Sequence, residues 1–201
     1  VATENLPKDK ESLSFARDYD LNTHIYSKYL TPSEKLDKNI KAIKMLKRLE
    51  NENRNPKEYE QAYLADYLGW GGLSDVFDER KGGQWKEARD YLKKNLTSEE
   101  YERARESTLT AFYTPNNVIS AIYKKLEDMG FNGGEVLEPS TGTGRFIGNL
   151  PKNLKDKTNF TAIELDSITG KIAKYLYPNQ NVNISGYEDF SVGDNNRKSV
   201  V

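Results

Sequence analysis

The residues with the most chemical content lie in one stretch, Glu138-Pro139-Ser140-Thr141-Gly142-Thr143-Gly144. It follows a short strand, Glu135-Val136-Leu137-Glu138, and opens a helix. Gly142 and Gly144 let the backbone approach a ligand with no Cβ in the way. Glu164 ends the next predicted strand, 26 residues after Glu138, where an acid takes ribose hydroxyls in nucleotide-binding folds. A dinucleotide site fits less well. That fingerprint wants a third glycine where this chain has Ile147. It also wants no acid at the strand end, where a carboxylate would repel pyrophosphate. Glu138 there suits a ligand with a positive end, such as the amino group of S-adenosylmethionine. A tight turn with no ligand is the plain alternative.

These residues need elements to position them. Thr31-Pro32-Ser33-Glu34 reads as a capping box with proline at the first helical position, and Leu36, Ile40, Ile43, Leu46 and Leu49 follow at helical spacing. Lys35, Lys38, Lys41, Lys44 and Lys47 step by three and wrap the solvent side of that helix, as a solvated face or as a strip that tracks phosphates. A second helix is predicted over 56–68, ended by Gly69-Trp70-Gly71-Gly72-Leu73. A third spans 84–96. Thr97-Ser98-Glu99-Glu100 caps a fourth that runs to about residue 109. Phe112-Tyr113-Thr114-Pro115 breaks it, and an amphipathic helix over 115–129 follows. Strand 135–138, a brief helix, strand 160–165, helix 166–177 and strand 181–185 complete the pattern. Alternation of this kind means parallel pairing in a Rossmann-like sheet. The expected organisation is a polar tail over 1–30, a helical region over 31–110 and a partial Rossmann-like α/β domain over 111–201.

Composition narrows the function classes. The chain has 201 residues, 30 Lys+Arg against 31 Asp+Glu, one His and no Cys. The net charge of −1 excludes a generally basic nucleic-acid binder and leaves only local patches. Without cysteine there are no disulfides, no Cys-ligated zinc and no thiol catalysis; one histidine excludes a multi-histidine metal site, and no metal is expected. Leu, Ile, Val and Phe make up about 22% of the chain, just above the roughly 20% below which disorder is the better guess. No apolar run approaches a membrane span, and the polar N-terminus lacks a signal-peptide core, so a cytoplasmic location is expected. Trp70 reads as a packing plug or a nucleic-acid stacking surface, and His24 as an ordinary surface residue.

Glu138-Pro139-Ser140-Thr141-Gly142-Thr143-Gly144 closely resembles the cofactor loop of adenine-N6 DNA methyltransferases. Phe112-Tyr113-Thr114-Pro115 resembles the motif that precedes that loop in the class where the cofactor part comes first. Ala162-Ile163-Glu164-Leu165-Asp166 and Gly186-Tyr187-Glu188-Asp189-Phe190 resemble the second and third cofactor motifs. With Tyr67-Leu68-Gly69-Trp70-Gly71-Gly72-Leu73 and Glu106-Ser107-Thr108-Leu109, the set resembles the methylase region of large helicase–methylase proteins of conjugative elements and phages, over about residues 35–190.

The resemblance implies S-adenosylmethionine as cofactor and DNA as partner. It implies that Ser140, Thr141, Gly142 and Gly144, with Pro139 in the same loop, line the methionine part. Thr114 would contact its carboxylate, with Tyr113 nearby, and Glu138 would hold its amino group. Glu164 would grip the ribose hydroxyls, Asp189 or Glu188 would accept from the adenine amino group, and Phe190 would pack on the ring. Thr114 could instead cap the following helix. Ile163 and Leu165 flank the site and are expected in the core. The family's Asn-Pro-Pro-aromatic motif, which accepts the amine hydrogens of a flipped base, has no match, since the chain contains no Pro-Pro. No catalytic residue is therefore assigned. The expectation is a fragment, inactive alone and lacking the C-terminal half, with Ser199-Val200-Val201 opening a fourth strand. Strand 136–138 would then be an open edge that invites self-association. The alternative is a non-catalytic module that binds nucleic acid or protein through its helical half.

Overall fold

In the computed structural model the described residues are 17–25 and 29–190; residues 1–16 and 26–28 of the predicted tail and the fourth-strand start at 199–201 lie outside them. Helix α1 (Pro32–Glu52) begins where its local chemistry demands. The Thr31 hydroxyl accepts from the Glu34 N–H at 3.3 Å, and the Glu34 carboxylate accepts from the Thr31 N–H at 2.8 Å. Leu36, Ala42, Ile43, Leu46 and Leu49 are its buried face. Helix α2 (Glu58–Ala65) is shorter than predicted. The buried Asn39 amide of α1 explains why: it accepts from Leu68 N–H at 2.8 Å and donates to Gly69 C=O at 2.6 Å. Backbone groups that bond a side chain in this way are not available to continue a helix.

Helices α3 (Gln84–Asn95) and α4 (Ser98–Glu106) follow, α4 with the predicted Thr97–Glu100 capping box and with a 3-10 turn over Ser107–Leu109 at its end. Helix α5 (Asn116–Asp128) leads into β1 (Gly134–Glu138). Helix α6 (Arg145–Gly148) is a single turn, β2 (Thr158–Glu164) and α7 (Ser167–Leu176) come next, and β3 (Asn181–Ile184) closes the sheet. The sheet order is β1-β2-β3, all parallel, with Val136 beside Phe160 and Ala162 beside Val182. This is a mixed α/β fold with an open three-stranded sheet, preceded by a helical N-terminal region. One apolar core runs through both, from Ile43 and Leu64 to Ile172 and Tyr177. Among the described residues the outer edge of β1 is unpaired. No described helix is long and apolar enough to cross a membrane.

Residues 17–25 fall within the span read as a tail, yet they form a strap. Tyr19 N–H donates to Leu176 C=O at 2.8 Å and Leu21 N–H to Gly148 C=O at 2.9 Å. Leu21 is buried, Lys155 pairs with Asp20 at 2.7 Å, and the Asp18 carboxylate accepts from Asn179 and Gln180. His24 is therefore not an ordinary surface residue. Its side chain is 7% exposed and bridges the Tyr19 hydroxyl at 3.0 Å and Asp66 at 3.3 Å. An irregular segment held by distant partners has no periodicity to reveal it.

The lysines of α1 also differ from both expectations. Lys38 pairs with Asp66, Lys41 with Asp37, and Lys47 with Glu50 and Glu100. Lys44 lies over the Tyr91 ring. Carboxylates from three elements neutralise most of the strip. Trp70 is the plug, not the stacking surface: it is buried, with its ring edge-on to Tyr67 at 6.5 Å and to Phe77 at 5.4 Å between centroids. Trp70→Ala is expected to cost about 3–5 kcal/mol of stability, read as a lower urea midpoint with unchanged slope. A loss under 1 kcal/mol would contradict the plug.

Candidate functional site

A cavity of about 490 Å³ opens at the C-terminal ends of β1 and β2, where open parallel sheets place their ligands. The glycine loop forms its floor. Glu138 ends β1, the loop turns, and β2 brings Glu164 alongside. The Glu164 carboxylate accepts from Gly142 N–H at 2.8 Å through Oε2 and from Asp166 N–H at 2.9 Å through Oε1. Asp166 in turn caps α7, accepting from Thr169 N–H at 2.7 Å. Glu138 accepts from the Thr141 hydroxyl at 2.8 Å, and Thr141 N–H donates to Ile163 C=O. The loop is thus tied to both strands before any ligand arrives.

The glycines also serve contacts within the chain. A Cβ on Gly142 would lie 2.9 Å from the Tyr113 ring, and one on Gly144 would lie 2.4 Å from the Tyr177 ring. Both glycines also have positive φ, 59° and 76°, which side chains disfavour. The close approach is therefore by the protein's own tyrosines. Tyr113 reaches the other way too, since a Cβ on Gly69 would sit 3.2 Å from its hydroxyl. One ring is clamped between the glycine–tryptophan segment and the glycine loop.

The electrostatics of the floor are unusual. Burial pushes the Glu138 carboxyl up to about 8, and the neighbouring Glu164 charge pushes the same way against the Thr141 hydrogen bond. Burial also raises Glu164, opposed by the two backbone N–H donors and reinforced by Asp166. Burial raises the Tyr113 hydroxyl. Two half-buried carboxyls, with no cation bonded to either among the described residues, make a site that a positive group would complete. Across the cavity Arg145 lies over the Tyr113 ring, 5.4 Å from its centroid, and donates to Thr114 C=O at 3.3 Å.

Of the sequence-predicted residues, Tyr113, Thr114, Glu138, Ser140, Thr141, Gly142 and Glu164 line this cavity. Pro139 and Gly144 are not in its wall; Gly144 caps α6 from below. Glu188 and Asp189 are exposed on the turn Tyr187–Asp189 after β3, and Phe190 follows it; the structure does not bring them to the wall, because β3 lies beyond β2 in the sheet. Thr114 does not cap α5, whose N-cap is Pro115 with no side-chain bond. Ile163 is core, as expected, but Leu165 is 51% exposed and lines the cavity; it follows the last residue of β2, where alternation stops. Arg145, Arg103, Asp166 and Thr169 also line it; of these only Asp166 belongs to a motif legible in the sequence. Arg145 directly follows Gly144 at the first position of a predicted helix, a signal available in the sequence.

With this geometry in place, the chain can be set beside known proteins. It resembles a phage protein. Over 89 residues, 44% of this chain, it is 33% identical to the Defense against restriction protein B of Escherichia phage P1. That stretch is 4% of the phage protein's length, so the chain is similar to a small part of a much larger restriction-related relative. No protein-family model matches the chain, and no solved structure matches it.

Proposed function

We propose that this chain is the S-adenosylmethionine-binding portion of a DNA adenine-N6 methyltransferase. In the intact protein a methyl group would pass to a flipped adenine, while this chain alone would be inactive. The observation that carries the reading is the floor of the cavity, where the half-buried Glu138 carboxyl, pushed up to about 8, lines the space above the glycine loop beside Glu164. A ligand with an ammonium end and a ribose fits such a floor; a pyrophosphate does not. The relative's name adds support, since it speaks of defence against restriction, and methylating DNA is one chemical route to that end.

S-adenosylmethionine would supply a methyl group activated by its sulfonium. The residues of this chain would do the holding. Glu138 would accept from the ammonium, Glu164 would accept from the ribose hydroxyls while keeping Gly142 in place, and Thr114 would face the carboxylate. Glu188, Asp189 and Phe190 would reach the adenine if the turn after β3 closes over the cavity. The open edge of β1 would take the remainder of the methyltransferase half or a second copy of the chain. The alternative, a non-catalytic module working through the helical half, loses two of its carriers: Trp70 is buried and most of the lysine strip is paired.

The test is calorimetric titration of the chain with S-adenosylmethionine, S-adenosylhomocysteine and NAD. The expected result is binding of the first two and not of NAD. A folded sample that binds none of the three, or only NAD, overturns the reading.

A further inference from the structure

A second cavity, of about 430 Å³, lies against the first and shares Ala111, Phe112, Tyr113 and Arg145 with it. Its chemistry is the opposite. The first cavity holds Glu106, Glu138, Glu164 and Asp166 in its wall. The second is walled by the cations Lys35 and Arg145 and the aromatics Tyr29, Phe112 and Tyr113, with no carboxylate among the described residues. Two of those rings stand out from the surface, Tyr29 at 83% and Phe112 at 68% exposed. Lys35 differs from the other lysines of α1. Lys38, Lys41 and Lys47 are paired with acids and Lys44 lies on a ring, whereas Lys35 has no carboxylate partner among the described residues. In a chain of net charge −1, a carboxylate-free wall of this kind is a local exception.

The wall is also held in place. A Cβ on Gly71 would lie 2.3 Å from the Ala111 carbonyl oxygen, and Gly72 N–H donates to Thr108 C=O at 3.0 Å. The glycine–tryptophan segment therefore clamps the chain that carries Phe112 and Tyr113. The buried Trp70 anchors that clamp in the core.

From this we infer that the second cavity binds one nucleotide unit of a nucleic-acid strand, with its phosphate on Lys35 and Arg145 and its base stacked on Phe112 and Tyr29. Cations combined with exposed rings in an open groove are how proteins hold unpaired bases. The inference rests on the chemistry of this cavity and not on the cofactor reading. If both hold, a nucleotide sits directly beside the cofactor cavity, with Tyr113 and Arg145 between them.

The experiment is fluorescence anisotropy of a labelled single-stranded adenine-containing oligonucleotide with the full chain, across a salt series. Lys35→Glu is expected to weaken binding at least about 10-fold, and Lys35→Ala to lower the salt slope by about 0.7, the value for one phosphate on a single strand. Tyr29→Ala is expected to weaken binding about 5-fold or more, as base stacking on an aromatic ring is worth about 1–3 kcal/mol. Lys41→Glu, the same charge change outside the cavity, is expected to change it less than about 2-fold. Equal losses for Lys35→Glu and Lys41→Glu would mean diffuse electrostatics and overturn the inference. So would wild-type protein that does not bind the oligonucleotide. S-adenosylmethionine titration of the Lys35 variants separates the two readings, since their cofactor affinity is expected to stay at the wild-type value.

Discussion

Replacing Glu164 with alanine is expected to lower affinity for S-adenosylmethionine at least about 100-fold. The side chain has two jobs that the substitution removes together. Its carboxylate accepts from Gly142 and Asp166 N–H groups, so it fixes the loop and the start of α7. Its remaining lone pairs face the cavity, where ribose hydroxyls would find them. Hydrogen bonds to a charged group are each worth about 1.5–3 kcal/mol, and about 2.7 kcal/mol is a factor of 100. Glu164→Gln separates the jobs. It preserves shape and one acceptor oxygen, so it can hold either Gly142 or Asp166 but not both, and an intermediate loss is expected. Calorimetry reads the affinity, and a thermal melt confirms that each variant is folded. Unchanged affinity in a folded Glu164→Ala protein would remove Glu164 from the site.

How much of this was legible in the sequence depends on how far apart the partners lie. The capping boxes at Thr31 and Thr97 involve residues three apart, and both form. The alternation from 134 to 184 contains its own topology, because parallel strands joined by short helical crossovers have few arrangements. The floor of the cavity was legible for the same reason, since Glu138 and the loop are contiguous and Glu164 is one crossover away. What the sequence hid is tertiary. Nothing local announces that Lys47 of α1 will meet Glu100 of α4, or that the irregular strap will seat Leu21 against Gly148. Tyr113 is the clearest case. The motif around it was visible, and so were both glycine segments, but one ring touching Gly69 and Gly142 at once requires the two halves to be folded together. That contact gives the glycines of the tryptophan segment a structural purpose without a ligand.

The Glu138 carboxyl makes the strongest statement about pH. Its folded value of about 8 lies above the ordinary carboxylate value of 4.5. Between those limits the folded chain holds a proton that the unfolded chain has released. Stability then falls as pH rises across that window, by up to about 1.4 kcal/mol per pH unit; the contribution is fully present below about 4.5 and gone above about 8. The raised Glu164 adds to the slope with the same sign. Glu138→Gln is expected to flatten the slope, so the variant should be the more stable protein at pH 8 and not at pH 4.5, as read from urea unfolding at the two values. The same proton bears on ligand binding. An ammonium group favours the carboxylate form, so cofactor binding near pH 7 is expected to release up to one proton per complex, and affinity should climb with pH towards 8. Titrations in buffers of different ionisation enthalpy measure that release directly. Glu138→Gln should abolish it while weakening binding. Wild-type protein that binds with no proton release would show that the positive end of the ligand lies elsewhere, and the half-buried acid would then be a cost to folding that the cofactor does not relieve.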